Sequence, residues 1–181
     1  MQENLKEISE ALSKQFRTTD LQAKTSLAIF VGGSYKTPNE KNTLTLLREG
    51  LRKRGFGGAF LMEDLTPRDV KTDDLRVWFN IIWEKMSTKG LHPLFLLFAG
   101  STSELSQGLI IEIVEIASDP RKYECAYLFE LPNVKLPPHK HSLNCRQVQN
   151  EEHFVSLAIQ VAESKASHIQ SIITASESGK T

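Results

Sequence analysis

The sequence predicts an α/β protein of the flavodoxin-like or Rossmann-like kind: a five-stranded parallel sheet, order 2-1-3-4-5, with helices on both faces. Three observations predict it. Short apolar runs without polar alternation recur along the chain, as strands covered on both faces require. Segments with apolar residues three and four apart stand between them. No hairpin signal joins one run to the next, so the strands must be linked by crossovers.

The elements follow in order. Leu5, Ile8, Leu12 and Phe16 put a narrow apolar stripe on a helix over residues 3–17, and a polar stretch follows from Arg17 to Ser26. Residues 1–26 are therefore read as an N-terminal helical extension. Leu27 to Val31 is the first strand, and Gly32-Gly33 is read as the turn that stops it. Thr37-Pro38-Asn39-Glu40 starts a helix: Thr37 caps, Pro38 takes the first helical position, and Glu40 reaches back. Leu44, Leu47 and Leu51 face inward, and Gly55 ends the helix. Arg48, Arg52, Lys53 and Arg54 crowd its last turns, where cations complement the carbonyl end of the dipole; phosphate binding is the less favoured reading.

Gly58 to Met62 is the second strand. Leu75, Trp78, Phe79, Ile82 and Met86 give the next helix, which starts at Thr72-Asp73-Asp74 and stops at Gly90. Pro93 to Ala99 is the third strand and the most apolar run in the chain. A polar loop, Gly100 to Gly108, leads to a helix over roughly Leu109 to Ala117, broken by Asp119-Pro120. Cys125 to Phe129 is the fourth strand, Asn133 to His141 a Pro-rich connection, and Leu143 to Val148 a weaker fifth strand. The last helix runs from Glu151 to about Ile173, with Phe154, Leu157, Ala158 and Val161 inward. The α/β domain spans 27–174, and 175–181 is read as a flexible tail.

Composition narrows the function. Among 181 residues, 22 basic side chains balance 22 acidic ones, so no surplus exists to neutralise a nucleic-acid backbone. Hydrophobic content of 40% with 10 Gly and 7 Pro is ordinary for a globular domain, and the length suffices for one core. Cys125 and Cys145 are too few for a disulfide framework. Met1-Gln2-Glu3-Asn4 is polar and acidic, unlike a secretory leader, and no apolar stretch is long enough to span a bilayer. The expected setting is a reducing cytoplasm, and the expected partner a small molecule rather than nucleic acid or membrane.

In open parallel sheets, ligands bind beyond the carboxyl ends of the strands, where strand order reverses. Order 2-1-3-4-5 places that point between the first and third strands. Gly32-Gly33-Ser34-Tyr35 and the loop Gly100–Gly108, with Ser101 and Ser106, then face one crevice. Small and hydroxyl residues let a ligand approach the backbone there. The glycines lack the spacing of a dinucleotide fingerprint, and no P-loop or Ser-His-Asp arrangement can be read. His139-Lys140-His141 with Cys145 fits no zinc spacing, so neither metal nor cofactor is expected.

The helix after Gly108 carries the chemistry. Leu109, Ile110, Ile111, Ile113, Val114, Ile116 and Ala117 make it apolar nearly all round, yet Glu112 lies in its middle. An isolated buried carboxylate is costly, so Glu112 must meet water, a partner or a ligand. Helical side chains lean over the residue one turn earlier, here Gly108, which has nothing to block it. That leads the carboxylate toward the crevice. Glu115 reads as the solvated end of that face, and Glu104 as a loop acid of unassigned direction.

Two segments resemble the nucleoside 2-deoxyribosyltransferase-like family and, more loosely, its TIR-like relatives. Ile29-Phe30-Val31-Gly32-Gly33-Ser34-Tyr35 is similar to that family's opening strand and glycine turn. Ser106-Gln107-Gly108-Leu109-Ile110-Ile111-Glu112-Ile113 is similar to its helix start, where a Gly precedes the key Glu by one turn. The resemblance covers about residues 27–165 and extends to uncharacterised archaeal proteins of this shape; its specific part is some fifteen residues.

It implies an N-glycosidase or deoxyribosyltransferase acting on a nucleoside, nucleotide or NAD-like ligand, with Glu112 as nucleophile. Gly32, Gly33, Ser34, Tyr35, Ser101, Ser106 and Gly108 would hold the substrate. Phe30 stands where the family usually has a Tyr, and the third strand exits through Ala99-Gly100-Ser101 without the usual acid. Both departures point to the alternative, a non-catalytic nucleotide-binding or TIR-like interaction module. The resemblance also implies a possible homo-oligomer, and residues 3–17 offer a helical contact for one.

Overall fold

The structure is a computed structural model that describes residues 10, 27–34, 38–56, 59–61, 83–88, 90–100, 126–132 and 144–178. Strands β1 (Leu27–Ser34), β2 (Ala59–Leu61), β3 (His92–Ala99), β4 (Ala126–Glu130) and β5 (Asn144–Gln147) form one sheet. Helix α1 (Pro38–Lys53) links β1 to β2, and helix α2 (Glu151–Ser178) follows β5. All neighbouring strands run parallel, in the order β2-β1-β3-β4-β5. This is the flavodoxin-like order expected from the sequence.

The order reverses direction once, between the β1-to-β2 step and the β2-to-β3 step. Right-handed crossovers then place their connections on opposite faces. Helices α1 and α2 pack together on the first face. Leu27, Ile29 and Val31 of β1, Leu94, Leu96 and Phe98 of β3, and Phe129 of β4 point there. They meet Leu44, Leu47 and Leu51 of α1 and Phe154, Ala158, Ala162 and Ala166 of α2. Phe154 stacks on Phe98 with ring centroids 4.4 Å apart and meets Phe129 edge-on at 5.3 Å. The second face carries Phe30 between Phe60 (5.7 Å) and Phe95 (5.1 Å). Leu97, Ala99, Ala126 and Leu128 share that face and are buried, so both sides of the central strands are covered, while β5 at the edge is exposed.

Both predicted helix-ending glycines have positive φ, Gly55 at 96° and Gly90 at 72°. In each case two backbone bonds close the end. Gly55 N–H donates to Arg52 and Phe56 N–H to Leu51; Gly90 N–H donates to Ser87 and Leu91 N–H to Met86. This is the Schellman arrangement, and the buried Phe56 against Leu51 supplies its apolar contact. At α2, Asn150 Oδ1 accepts from the His153 N–H at 2.8 Å. His153 Nδ1 accepts in return from the Gln149 N–H at 3.0 Å, a reciprocal cap with His where Glu is usual.

Several boundaries differ from the sequence reading: β3 starts one residue earlier, at His92, β5 stops at Gln147 rather than Val148, and three further differences matter more. Gly32-Gly33 is not a turn: β1 continues through Ser34, with Gly32, Gly33 and Ser34 in register with Leu97, Phe98 and Ala99. Pairing with a long neighbour overrides the poor strand propensity of glycine. β4 runs one residue past Phe129, to Glu130, because β3 offers Ala99 as its partner. α2 reaches Ser178 rather than about Ile173, so residues 175–178, read as part of a flexible tail, continue the helix. No Gly or Pro interrupts it before Gly179. Pro93, in a central strand, is tolerated because β4 pairs only from Phe95 onward, leaving that side of Pro93 without a ladder to break. Of the N-terminal extension, only Glu10 lies within the described residues; it is helical and exposed.

Candidate functional site

The carboxyl edge of the sheet ends in one row. Ser34, Ala99, Glu130 and Gln147 are successive register partners on β1, β3, β4 and β5. With strands about 4.8 Å apart, Ser34 and Glu130 stand about 10 Å apart along this row. The end of β1 is a stretch of small residues, Gly32-Gly33-Ser34, and the end of β3 is another, Ala99-Gly100. No bulky side chain of these residues fills the space above the switch point between β1 and β3. Gly32 itself is buried, on the same face as Phe30 and Leu97. Phe30 is a fully buried member of an aromatic stack, so the core accounts for it without a role in chemistry.

Of the residues singled out from the sequence, the structure brings Gly32, Gly33 and Ser34 to the switch point, beside the end of β3. Tyr35, Ser101, Ser106, Gly108 and Glu112 lie outside the described residues, as do Glu104, Glu115, His139 and His141. Among the described residues, no three His, Cys, Asp or Glu side chains gather as metal ligands would. No helix of the described residues is long and apolar enough to cross a membrane.

The basic cluster of α1 is far from this edge. Because α1 starts beside the carboxyl end of β1 and delivers the chain to the start of β2, its last turn lies at the opposite edge. There Arg52 donates from Nε and from a terminal nitrogen to the Ala59 carbonyl, at 3.2 and 2.9 Å, clamping helix to strand. Arg54 lies 3.7 Å from Glu163 of α2, a half-exposed pair of small worth. Arg52 thus bonds a strand carbonyl, a packing role that the reading of these cations as complements to the helix dipole did not include. At the site's own edge, Thr43 is buried, its hydroxyl 2.9 Å from both the Asn39 carbonyl and the Glu151 carboxylate. With one proton, it donates to one of them at a time. The contact with Glu151 ties the second turn of α1 to the start of α2.

Glu130 was missed because a charged residue after an apolar run reads as a strand stop. The signal that finds it is register: its partner Ala99 is itself the partner of Ser34. Its charge is felt across the next strand. The Cys145 thiol of β5 is pushed up from its ordinary 9.0 to about 11, first by burial and then by the Glu130 carboxylate, with Arg146 opposing. The residue is exposed, yet its surroundings half-enclose the sulfur. Only about one thiol in a thousand is then ionised near pH 8, against about one in ten for an ordinary cysteine. Iodoacetamide should therefore alkylate Cys145 about a hundredfold more slowly than a free cysteine peptide, and Glu130→Gln should speed it up. Mass spectrometry of the labelled peptides reads both; a rate equal to that of the free peptide would refute the burial of the thiol, and an unchanged rate in Glu130→Gln would refute the placement of Glu130.

No known protein-family model, curated protein or solved structure matches this chain.

Proposed function

We propose that this protein binds a nucleoside-like ligand at the carboxyl edge and breaks its N-glycosidic bond, with Glu112 as nucleophile. The observation that supports this reading is the register of Gly32, Gly33 and Ser34 with Leu97, Phe98 and Ala99 at the point where strand order reverses. The chain that leaves β3 there leads within thirteen residues of Ala99 to Glu112. One crevice can thus receive a sugar against the glycines of β1 and a carboxylate from the following segment.

The chemistry is written in two steps. A carboxylate oxygen of Glu112 attacks the anomeric carbon as its bond to the base nitrogen breaks. The bonding pair leaves with the base, which takes a proton from solvent. Water, or a second base, then attacks the same carbon; the glycosyl ester breaks, the carboxylate is restored, and the attacking group loses its proton. Positive charge on the sugar grows in both transition states, and a fixed carboxylate offsets it. Ser34, Ser101 and Ser106 supply hydroxyl contacts to the sugar.

The test is chromatographic: purified protein is incubated with a panel of nucleosides, nucleotides and NAD, and release of free base is followed. Release from at least one member is the expected result. The rival reading, a module that binds without turnover, is favoured by Phe30, whose place in the aromatic stack supplies no hydroxyl to a nucleophile. Thermal stabilisation by a panel member that is never consumed would establish it in place of the enzyme.

A further inference from the structure

Helix α2 begins at the carboxyl edge, and its start is held in place. Three residues separate Gln147, the last member of the edge row, from Glu151. The reciprocal cap of Asn150 and His153 fixes that turn. Phe154 then stacks on Phe98, the strand residue in register with Gly33. Glu151 precedes Phe154 by three residues, about 4.5 Å along the helix axis. It therefore stands beyond Phe98, level with the row that holds Ser34 and Ala99. Its Oε2 reaches across to α1 and lies 2.9 Å from the buried Thr43 hydroxyl. Helix α1 packs on β1 and α2 on β3, so a carboxylate that joins the two helices overlies the point where strand order reverses.

We propose that Glu151 is a binding residue of this crevice, accepting both hydroxyls of a ribose 2′,3′-diol, and that Thr43 positions it. The site then selects ribose over its deoxy forms. The inference rests on the reading of the carboxyl edge as a nucleoside site, and it names the sugar which that site prefers. The carboxylate is tethered on one side and open on the other: Thr43 is buried, while Glu151 is partly exposed. Its two oxygens offer about four acceptor sites, and the single Thr43 proton occupies at most one of them. Each oxygen can therefore accept a further hydrogen bond. Two hydroxyl donors on adjacent carbons match that pair, and bonds to a charged acceptor are the stronger kind. Because Thr43 and the capped turn already hold the side chain, little rotamer freedom is lost when the sugar arrives.

The experiment measures binding of adenosine and of 2′,3′-dideoxyadenosine to the full-length protein by calorimetry. The wild type should bind adenosine at least about tenfold more tightly than the dideoxy form. Glu151→Ala should bring the two affinities within about threefold, by weakening adenosine. Thr43→Val keeps the shape of the side chain, removes the tether and should shrink the ratio in the same direction. Thr43→Ser, which restores the hydroxyl, should recover it. Glu152→Ala removes the neighbouring exposed charge and should leave the wild-type ratio unchanged. A merely structural Glu151 would lower stability and leave the ratio alone. Equal affinities in the wild type, an unchanged ratio in Glu151→Ala, or an equal fall in Glu152→Ala would each overturn the diol contact. An unchanged ratio in Thr43→Val would overturn the positioning role, and the same measurement decides the proposal should Glu151→Ala fail to fold. Base release measured alongside keeps the two ideas apart. If bases are released but the ratio is absent, only the diol contact falls. If the ratio is present without release, only the glycosidase reading falls. If the wild type binds neither ligand, both fall.

Discussion

Glu112→Gln is expected to lower the rate of base release by about a thousandfold while leaving ligand binding within a few-fold of wild type. Gln has the shape of Glu and can accept a hydrogen bond, so the crevice keeps its volume. It cannot form the glycosyl ester, and it brings no negative charge to a sugar carbon that turns cationic. Loss of one such charge-stabilising group costs on the order of 3–4 kcal/mol in the transition state. The ground state is neutral at that carbon and loses far less. The effect should therefore fall on kcat, with KM moving little. Steady-state kinetics with thermal-shift binding in parallel separates this from unfolding: a stable variant that still binds and still turns over at the wild-type rate removes Glu112 from the mechanism.

Phe154→Ala should cost about 3–5 kcal/mol of folding stability, the range for truncating a fully buried aromatic ring. Phe154 is completely buried, lies 4.4 Å from the ring of Phe98 and 5.3 Å from that of Phe129, and belongs to the first turn of α2. Its removal leaves a cavity between helix and sheet that the paired strands cannot collapse to fill. The cavity lies one residue below the row of Ser34, Ala99 and Glu130. Urea unfolding monitored by circular dichroism measures the loss. A change under about 1 kcal/mol would mean that this helix end is not packed as described. Phe154→Leu, which keeps most of the apolar volume, should recover more than half of it.

Much of the architecture was legible from local pattern. Apolar runs without alternation located the first four strands, the polar β5 was read only as a weaker strand before the last helix, and parallel pairing followed from the absence of hairpin signals. Gly55 and Gly90 were readable as helix ends because positive φ is a demand that a sequence answers with glycine. What escaped lies mostly at the carboxyl edge, for one physical reason. A strand there ends where its neighbour stops offering partners, and local propensity is too weak to set the limit. Gly32-Gly33 looked like a stop, and Ser34 like loop, until Leu97, Phe98 and Ala99 were found alongside. Glu130 was hidden in the same way, behind an apolar run that seemed complete at Phe129. Glu112 was singled out by a conflict, a charge in a greasy segment, and it lies outside the described residues. The cap pairing Asn150 with His153 carried no such signal, since His is seldom the returning acceptor.

The incorporation of Gly32, Gly33 and Ser34 into the sheet has a thermodynamic consequence. A floor built from a mobile hairpin would have to freeze whenever a guest arrived, and that ordering would be subtracted from affinity. Here the three peptide units are immobilised at the moment of folding, by the same ladder that closes the core. A ligand of the proposed kind would meet backbone already ordered here, and nothing would be subtracted for fixing these three peptide units.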